Sequence, residues 1–187
     1  HDDVGSILTG LSMKSELMAL GVKEIEPESL NKISEMAREA MERMRDTVWA
    51  IDSRKDKYEN LLDRMNAYAN TNLPLKNFQY DFDTVGFNPK AFIQPDVRQN
   101  LYLIFKEAIT NLLKHSNGDK VTINLQQESK TVLMRIKDNG ALKEDTPTDG
   151  LGQSNMRARA EKIGGDFRTY YDQGSIVEVA LKQSSQY

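Results

Sequence analysis

A long row of apolar residues at helical spacing is the feature that most limits what this chain can fold into. The row steps by three and four positions through residues 30–51, which is the spacing of one face of an α-helix. Its members are Leu30, Ile33, Ala37, Ala40, Met44, Val48 and Ile51. Pro27 suits the first turn of such a helix, because a first-turn residue needs no backbone N–H donor. We therefore predict a long helix with an apolar seam.

A second helical pattern comes before it, over about residues 1–20. Its apolar positions include Val4, Ile7, Leu8, Leu11 and Met18. Gly21 marks its end, because glycine accepts the left-handed conformation common just after a helix. Two helices joined by a short loop cannot bury such seams alone, so we predict a homodimer that forms a four-helix bundle. The alternative is a monomeric hairpin packed against its own second domain.

The pattern changes near residue 70, where short alternating runs begin to mix with helices and glycine-rich turns. We therefore predict two domains, residues 1–70 and 71–187, and the length allows each a core. Just before the change, helical character continues as a stem leading to Pro74. The stem residues are Leu61, Leu62, Met65 and Tyr68.

Strands and helices follow one another in the second domain. The predicted strands cover residues 78–83, 121–126, 131–137, 167–170 and 176–181. One helix follows Pro95, and another passes through Met156 and stops at Gly164-Gly165. This order predicts an α/β sandwich, with helices on one face of a mixed or antiparallel sheet.

Composition excludes several classes of protein. The chain has no Cys, which excludes disulfide scaffolds, Cys-ligated zinc and thiol nucleophiles. Its 25 Lys and Arg against 28 Asp and Glu form no basic surface for nucleic acid. No apolar run approaches the ~20 residues that span a bilayer. Because the chain begins with His1 and not Met, we interpret it as the cytoplasmic part of a longer protein, with any membrane segment upstream.

Four polar clusters are candidates for a functional site, although each alone has a common structural explanation. A polar helix face is usually solvated, and Asp-Asn-Gly is usually a turn. Short glycine motifs are also common in loops. The clusters are His1-Asp2-Asp3, the helix face with Glu107, Asn111, Lys114 and His115, the segment Asp138-Asn139-Gly140, and the pair Gly150 and Gly152.

In their order and spacing, these clusters resemble the sensor histidine kinases, in the subgroup that phosphorylates NarL-type response regulators. Residues 1–5 resemble that subgroup's H-box, and residues 107–115 resemble the N-box. Residues 138–140 match the first Gly box, and residues 150–159 fall where the second Gly box and the ATP lid stand. The resemblance covers essentially the whole chain. It implies a dimerisation and phosphotransfer hairpin followed by a Bergerat-type ATP-binding domain.

The resemblance also implies a reaction. ATP phosphorylates His1, and the phosphoryl group then passes to an aspartate in the receiver domain of a response regulator. A neutral imidazole is a competent nucleophile, and a carboxylate beside it can accept or orient the proton on its other nitrogen. Asp2 is the candidate for that base, and Asp3 is a weaker one.

The N-box residues are implied to hold the phosphates and Mg²⁺. By resemblance, Asn111 coordinates Mg²⁺ through its amide oxygen, and Glu107 orients a metal-bound water. An oxygen ligand suits this hard cation. Lys114 and His115 lie about one turn further along, where they can meet phosphate oxygens.

The glycine boxes are implied to bind the rest of the nucleotide. Asp138 can accept a hydrogen bond from the exocyclic amine of adenine, and Gly140 lets the adenine ring approach the backbone. Gly150 and Gly152 permit backbone amides close to the phosphates and a mobile lid.

Two positions depart from the family pattern. Leu142 stands where the first Gly box commonly has a second glycine, which affects the local lid geometry. Ser6 stands four residues after Asp2, where the subgroup commonly has a Gln that holds a hydrolytic water. We therefore expect kinase activity more firmly than phosphatase activity.

Other classes of protein share the ATP-binding domain. They include ATP-binding regulators, serine kinases that act on anti-sigma pathways, dimeric pseudokinases, and ATPases of the gyrase or mismatch-repair type, in which Glu107 would activate water. The regulators and serine kinases lack an adjacent H-box hairpin, and the ATPases embed the domain in much longer chains. His1-Asp2 with its paired helices therefore favours the histidine kinase.

Overall fold

The chain divides into two compact units, as a computed structural model shows. They are His1–Asp52 and Ser53–Tyr187. The structure describes residues 2–20, 27–141 and 151–182. Within these ranges, no helix is both long enough and apolar enough to cross a membrane.

The first unit is a helical hairpin. Helix α1 spans Asp2–Ala19 and helix α2 spans Pro27–Ile51, which confirms both predicted helices and the place of Pro27. The helices pack against each other. A Cβ on Gly10 would stand 3.1 Å from Met36 Cε, so the two helices approach closely there. The predicted helix end at Gly21 lies outside the described residues.

A single hairpin covers only part of the apolar seam on α2. Ala40 is buried, whereas Leu30, Met44 and Val48 remain 51%, 50% and 63% exposed. Leu8 on α1 is also largely exposed. Burial of apolar side chains of this size lowers the free energy. The exposed seam therefore favours association with another protein surface.

The second unit is an α/β sandwich with a mixed sheet. Its helices are α3 (Tyr58–Asn72), α4 (Pro95–His115) and α5 (Leu151–Lys162). Its strands are β1 (Gln79–Val85), β2 (Lys120–Glu128), β3 (Thr131–Asp138), β4 (Gly165–Tyr171) and β5 (Ser175–Lys182). The described strands lie in the order β1-β2-β3-β5-β4. β1 runs parallel to β2, and the other pairs are antiparallel.

The core lies between the sheet and its helices. Buried and more exposed side chains alternate along β2 and β3, because successive residues of a strand point to opposite faces. The buried apolar side chains of these strands are Val121, Ile123, Leu125, Val132, Met134 and Ile136. Helix α4 buries a broad apolar face that includes Leu101, Ile104, Phe105 and Ala108. The helices therefore cover one face of the sheet, as predicted.

Helix α3 is the predicted helical stem that leads to Pro74, and the structure shows which core it joins. It belongs to the second unit, where Leu61 and Met65 are fully buried and the ring of Tyr68 meets that of Phe105 on α4. The units therefore divide at Asp52, earlier than the predicted boundary after residue 70. Apolar spacing shows that a helix has a buried face, but not which core receives it.

Glycines stop the last helix and turn the last hairpin. Helix α5 ends at Lys162, and Gly164 has φ +71°, a left-handed conformation that suits glycine. The hairpin between β4 and β5 turns through Gln173 and Gly174, which also have positive φ. The sequence predicted the helix end at Gly164-Gly165.

Candidate functional site

Two of the predicted clusters meet where α5 begins beside α4. Glu107 and Asn111 lie one turn apart on α4, and both are half-buried. A Cβ on Gly152 would stand 2.5 Å from Glu107 Oε1 and 2.9 Å from Asn111 Nδ2. Only a residue without a side chain fits this gap without displacing them. The structure thus brings the predicted N-box and second Gly box together.

Asp138 forms the second part of the site, at the end of β3. Its side chain is buried, and its Oδ1 accepts backbone N–H groups from Gly140 at 2.9 Å and from Ser175 at 3.0 Å. Among the hydrogen bonds seen in the described residues, both go to Oδ1. They orient the carboxylate and leave Oδ2 able to accept a ligand donor.

The loop between α4 and β2 packs closely against Gly140. A Cβ on Gly140 would stand 2.6 Å from Ser116 Oγ and 2.8 Å from Asn117 Oδ1. Asn117 Oδ1 also accepts the backbone N–H of Ala141 at 2.8 Å. A side chain at position 140 would therefore displace the side chains of Ser116 and Asn117.

Asn139 ties the same loop to the end of β3. Its Oδ1 accepts the backbone N–H groups of Asp119 and Lys120 at 3.0 and 2.9 Å. Its Nδ2 donates to Asp119 Oδ1 at 2.8 Å. Asn139 thus holds the Asp138-Asn139-Gly140 segment in place, while the Asp138 carboxylate is buried beside it.

The tip of the β4–β5 hairpin closes another side of Asp138. A Cβ on Gly174 would overlap the backbone carbonyl of Asp138. Sequence reasoning missed this contact and the loop at Ser116 to Gly118. Asn117-Gly118 is a turn dipeptide that could have indicated the loop, and Gln173-Gly174 could have indicated the hairpin tip.

The C-terminal half of α4 connects the two parts of the site: it carries Glu107 and Asn111, and it leads to the loop that packs against Gly140. Ser116 follows Asn111 by five residues, which is about 8 Å along the helix axis. Lys114 and His115 are the last two residues of α4 and are exposed, so they lie along the chain between the two parts. Their predicted contact with phosphate remains a prediction.

Part of the predicted site falls outside the described residues. These positions are His1, Gly150 and Leu142. Asp2 opens α1, and Ser6 follows it by one helical turn with its side chain exposed. The structure therefore shows that the predicted H-box leads into the first turn of α1, and it does not describe His1.

The donor set fits a magnesium ion that arrives with a nucleotide. The described ranges contain no group of three or more His, Asp or Glu side chains that could hold a metal by themselves. Mg²⁺ commonly takes one or two protein oxygens and completes its shell with phosphates and water. The Asn111 amide can supply such an oxygen, and the Glu107 carboxylate, which also borders Gly152, can orient a water bound to the ion.

Comparison with known protein families covers both units. A family model described as histidine kinase matches residues 1–71. A second model, described as histidine kinase-, DNA gyrase B- and HSP90-like ATPase, matches residues 96–185. The second match contains Glu107, Asn111, Asp138, Gly140 and Gly152.

Similar sequences occur among staphylococcal sensor proteins. The sensor protein VraS of Staphylococcus saprophyticus is 40% identical over 87 residues, and that of Staphylococcus haemolyticus is 39% identical over 87 residues. Each match covers 44% of this chain and 25% of the relative. The chain thus matches about a quarter of the length of these relatives.

Solved structures share the fold at low sequence identity. The histidine kinase AdeS of Acinetobacter baumannii has a TM-score of 0.62 and 14% identity, covering 98% of each chain. The blue-light activated histidine kinase EL346 of Erythrobacter litoralis has a TM-score of 0.59 and 17% identity, covering 97% of this chain and 64% of that one.

The two family models follow each other in the order that the motifs predicted, and between them they span most of the chain. This chain therefore belongs to the sensor histidine kinases, in the NarL-type subgroup.

Proposed function

We propose that this chain is the catalytic part of a protein-histidine kinase, which moves the γ-phosphoryl group of ATP to His1 and then to an aspartate of a receiver domain. The observation that carries the proposal is the contact of Gly152 with Glu107 and Asn111. It assembles a phosphate-side cluster in the same compact unit as a buried, oriented Asp138. We place this activity in the cytoplasm, where both ATP and response regulators occur, with any membrane anchor in a part of the protein outside this chain.

The nucleotide is held by side chains of the second unit. Asp138 Oδ2 accepts the exocyclic amine of adenine, and the bare backbone at Gly140 receives the ring. Asn111 would coordinate Mg²⁺ and Glu107 would orient a water bound to the ion, which neutralises charge on the phosphates when it is bound. Lys114 and His115 meet phosphate oxygens as charged or polar donors.

The transfer step needs a free imidazole nitrogen on His1. That nitrogen forms a bond to the γ-phosphorus while the bond from this phosphorus to the β–γ bridging oxygen breaks, and ADP leaves. Asp2 accepts or orients the proton on the other imidazole nitrogen, so that positive charge on the ring is stabilised. The phosphoryl group next moves from His1 to a carboxylate oxygen of the regulator's aspartate, and His1 is regenerated.

The proposal is tested by incubating the chain with γ-labelled ATP and Mg²⁺. We expect incorporation of label that is lost in acid and retained in alkali, as a phosphorus–nitrogen bond requires. A parallel sample with excess chelator serves as the control and should stay unlabelled. Label that survives acid would indicate a phosphorylated hydroxyl instead of His1, and absence of label would contradict the proposal.

We also propose that two copies associate through the exposed seam of the hairpin. Met44→Asp would place a carboxylate in that seam, and a buried unpaired carboxylate costs several kcal/mol. We expect the dimer dissociation constant to rise about a hundredfold or more, measured by sedimentation equilibrium. Asn31→Asp adds the same charge at an exposed position about 140° away around α2 and should leave the dimer intact. A monomeric unmutated chain at high concentration would refute the association.

Phosphatase activity toward the regulator should be limited by Ser6. A Gln one turn after Asp2 reaches further than a hydroxyl and can both donate to and accept from a water. We expect Ser6→Gln to speed decay of the phosphorylated regulator about tenfold, or about 1.4 kcal/mol of barrier, with labelling of His1 unchanged. Ser12→Gln, at another exposed position of α1, is the matched control. Equal decay rates for the two variants would show that this position does not limit hydrolysis.

A further inference from the structure

A buried ion pair lies outside the nucleotide site. Arg98 Nη2 stands 3.1 Å from Asp56 Oδ1, and the side chains are 0% and 9% exposed. Arg98 is on α4, nine residues before Glu107, and none of the steps proposed above uses it. A charged pair this deeply buried requires an explanation, because removing two charges from water is costly.

Asp56 lies in the connection between α2 and α3, which leads from the hairpin into the second unit. The backbone of this connection is held as well. Ile93 N donates to Asp56 O at 3.2 Å, and Tyr58 N donates to Ala91 O at 3.2 Å. Lys57 and Phe92 face each other in an antiparallel bridge. Side chain and backbone therefore both fix the connection to the segment that precedes α4.

Stability alone explains this pair poorly. Replacing a buried ion pair with apolar side chains of similar volume is often neutral or stabilising, so an apolar contact could serve a core equally well. An ion pair requires one geometry, because moving either partner leaves a buried charge uncompensated. An ion pair therefore suits a place where the position of a segment matters more than the stability that the contact adds.

We propose that the Asp56–Arg98 pair is a latch that fixes where the connection leaves the second unit, and that phosphorylation of His1 depends on it. Arg98 and Asn111 share one helix, so the latch ties the connection to the element that carries the phosphate-side residues. Because Asp56 is fixed to α4, only the few residues before Asp56 are left to join the hairpin to the second unit. Asp56 and Arg98 are positioning residues, and their role rests on the proposed kinase function.

The first test replaces Asp56 with Asn, which keeps the shape and removes the charge. Trypsin can cut after Arg54, Lys55 and Lys57, so release of the connection is measured directly by mass spectrometry. We expect cleavage there to rise about tenfold or more, because proteolysis follows local opening. Phosphorylation of His1 should slow about tenfold, while ATP affinity stays within about twofold.

Asp81→Asn provides the matched control. Asp81 forms an exposed ion pair with Lys120 at 2.9 Å in the same unit, so the substitution removes the same charge from a surface pair. Exposed pairs contribute little, and we expect this variant to match the unmutated chain in cleavage, ATP affinity and labelling.

The second test restores the latch with a covalent bond. The chain has no cysteine, so Lys57→Cys with Phe92→Cys introduces a single possible disulfide. Residues opposite each other in an antiparallel bridge have Cα atoms ~4.5–5.5 Å apart, which a disulfide spans. Added to Asp56→Asn, the oxidised pair should restore both resistance to trypsin and labelling of His1, and reduction should remove both.

Several results would overturn the latch. Unchanged cleavage in Asp56→Asn would show that the pair does not hold the connection. Loss of ATP affinity in parallel with labelling would assign the pair to folding alone. A disulfide that restores trypsin resistance without labelling would separate the connection from phosphorylation. If the unmutated chain fails to label at all, the proposed function fails, and the cleavage comparison still decides whether the pair holds the connection.

Discussion

We expect replacement of His1 with Gln to abolish phosphorylation of the chain and to leave its affinity for ATP unchanged. Glutamine has no ring nitrogen that can attack a phosphoryl group, so the acceptor is lost. The nucleotide residues Asn111 and Asp138 belong to the second compact unit, whereas His1 belongs to the first. Labelling with γ-labelled ATP measures the first effect, and calorimetric titration with a non-hydrolysable ATP analogue measures the second.

The second histidine of the chain provides the matched control. His115→Gln makes the same substitution at the end of α4, where we propose a phosphate contact. This variant should bind ATP more weakly but still be labelled when ATP is saturating. If His115→Gln abolishes labelling and His1→Gln does not, the phosphoacceptor has been assigned to the wrong histidine.

We expect replacement of Asp138 with Asn to weaken ATP binding at least about thirtyfold, or about 2 kcal/mol, in a chain that stays folded. The amide oxygen of Asn can take the place of Oδ1 and keep the bonds from Gly140 and Ser175. The amide NH₂ group then stands where Oδ2 stood, and a donor meets the amine donor of adenine. Calorimetric titration measures the affinity, and circular dichroism checks the fold.

An exposed acid on β1 tests whether charge alone explains the loss. Asp83→Asn removes one negative charge from an exposed side chain of the same sheet, so it should leave the affinity for ATP unchanged. Equal affinities for Asp138→Asn and the unmutated chain would show that this carboxylate does not contact the nucleotide.

The local elements could be predicted because their periodicity is a property of the chain itself. Apolar steps of three and four residues placed α2, and Pro27 placed its first turn. Alternation placed β2 and β3 to within one or two residues, because side chains of a strand point to opposite faces. The order of the polar clusters predicted the family, which the two family models confirm.

The domain boundary could not be predicted in the same way. Leu61 and Met65 have the spacing of a buried helix face whether that face covers the hairpin or the second core. The choice between two cores depends on which surface is complementary to α3. The tertiary structure places α3 against α4, and the boundary moves to Asp52.

Contacts between distant residues were also decided by the tertiary structure. The sequence by itself determined that a strand over residues 131–137 leads into Asp138. The register of β3 with β5 sets Lys137 opposite Ile176 and so brings Ser175 N to the Asp138 carboxylate. Strand pairing joins backbone groups that carry no record of their partner in the local sequence, so such contacts follow only from packing the whole sheet.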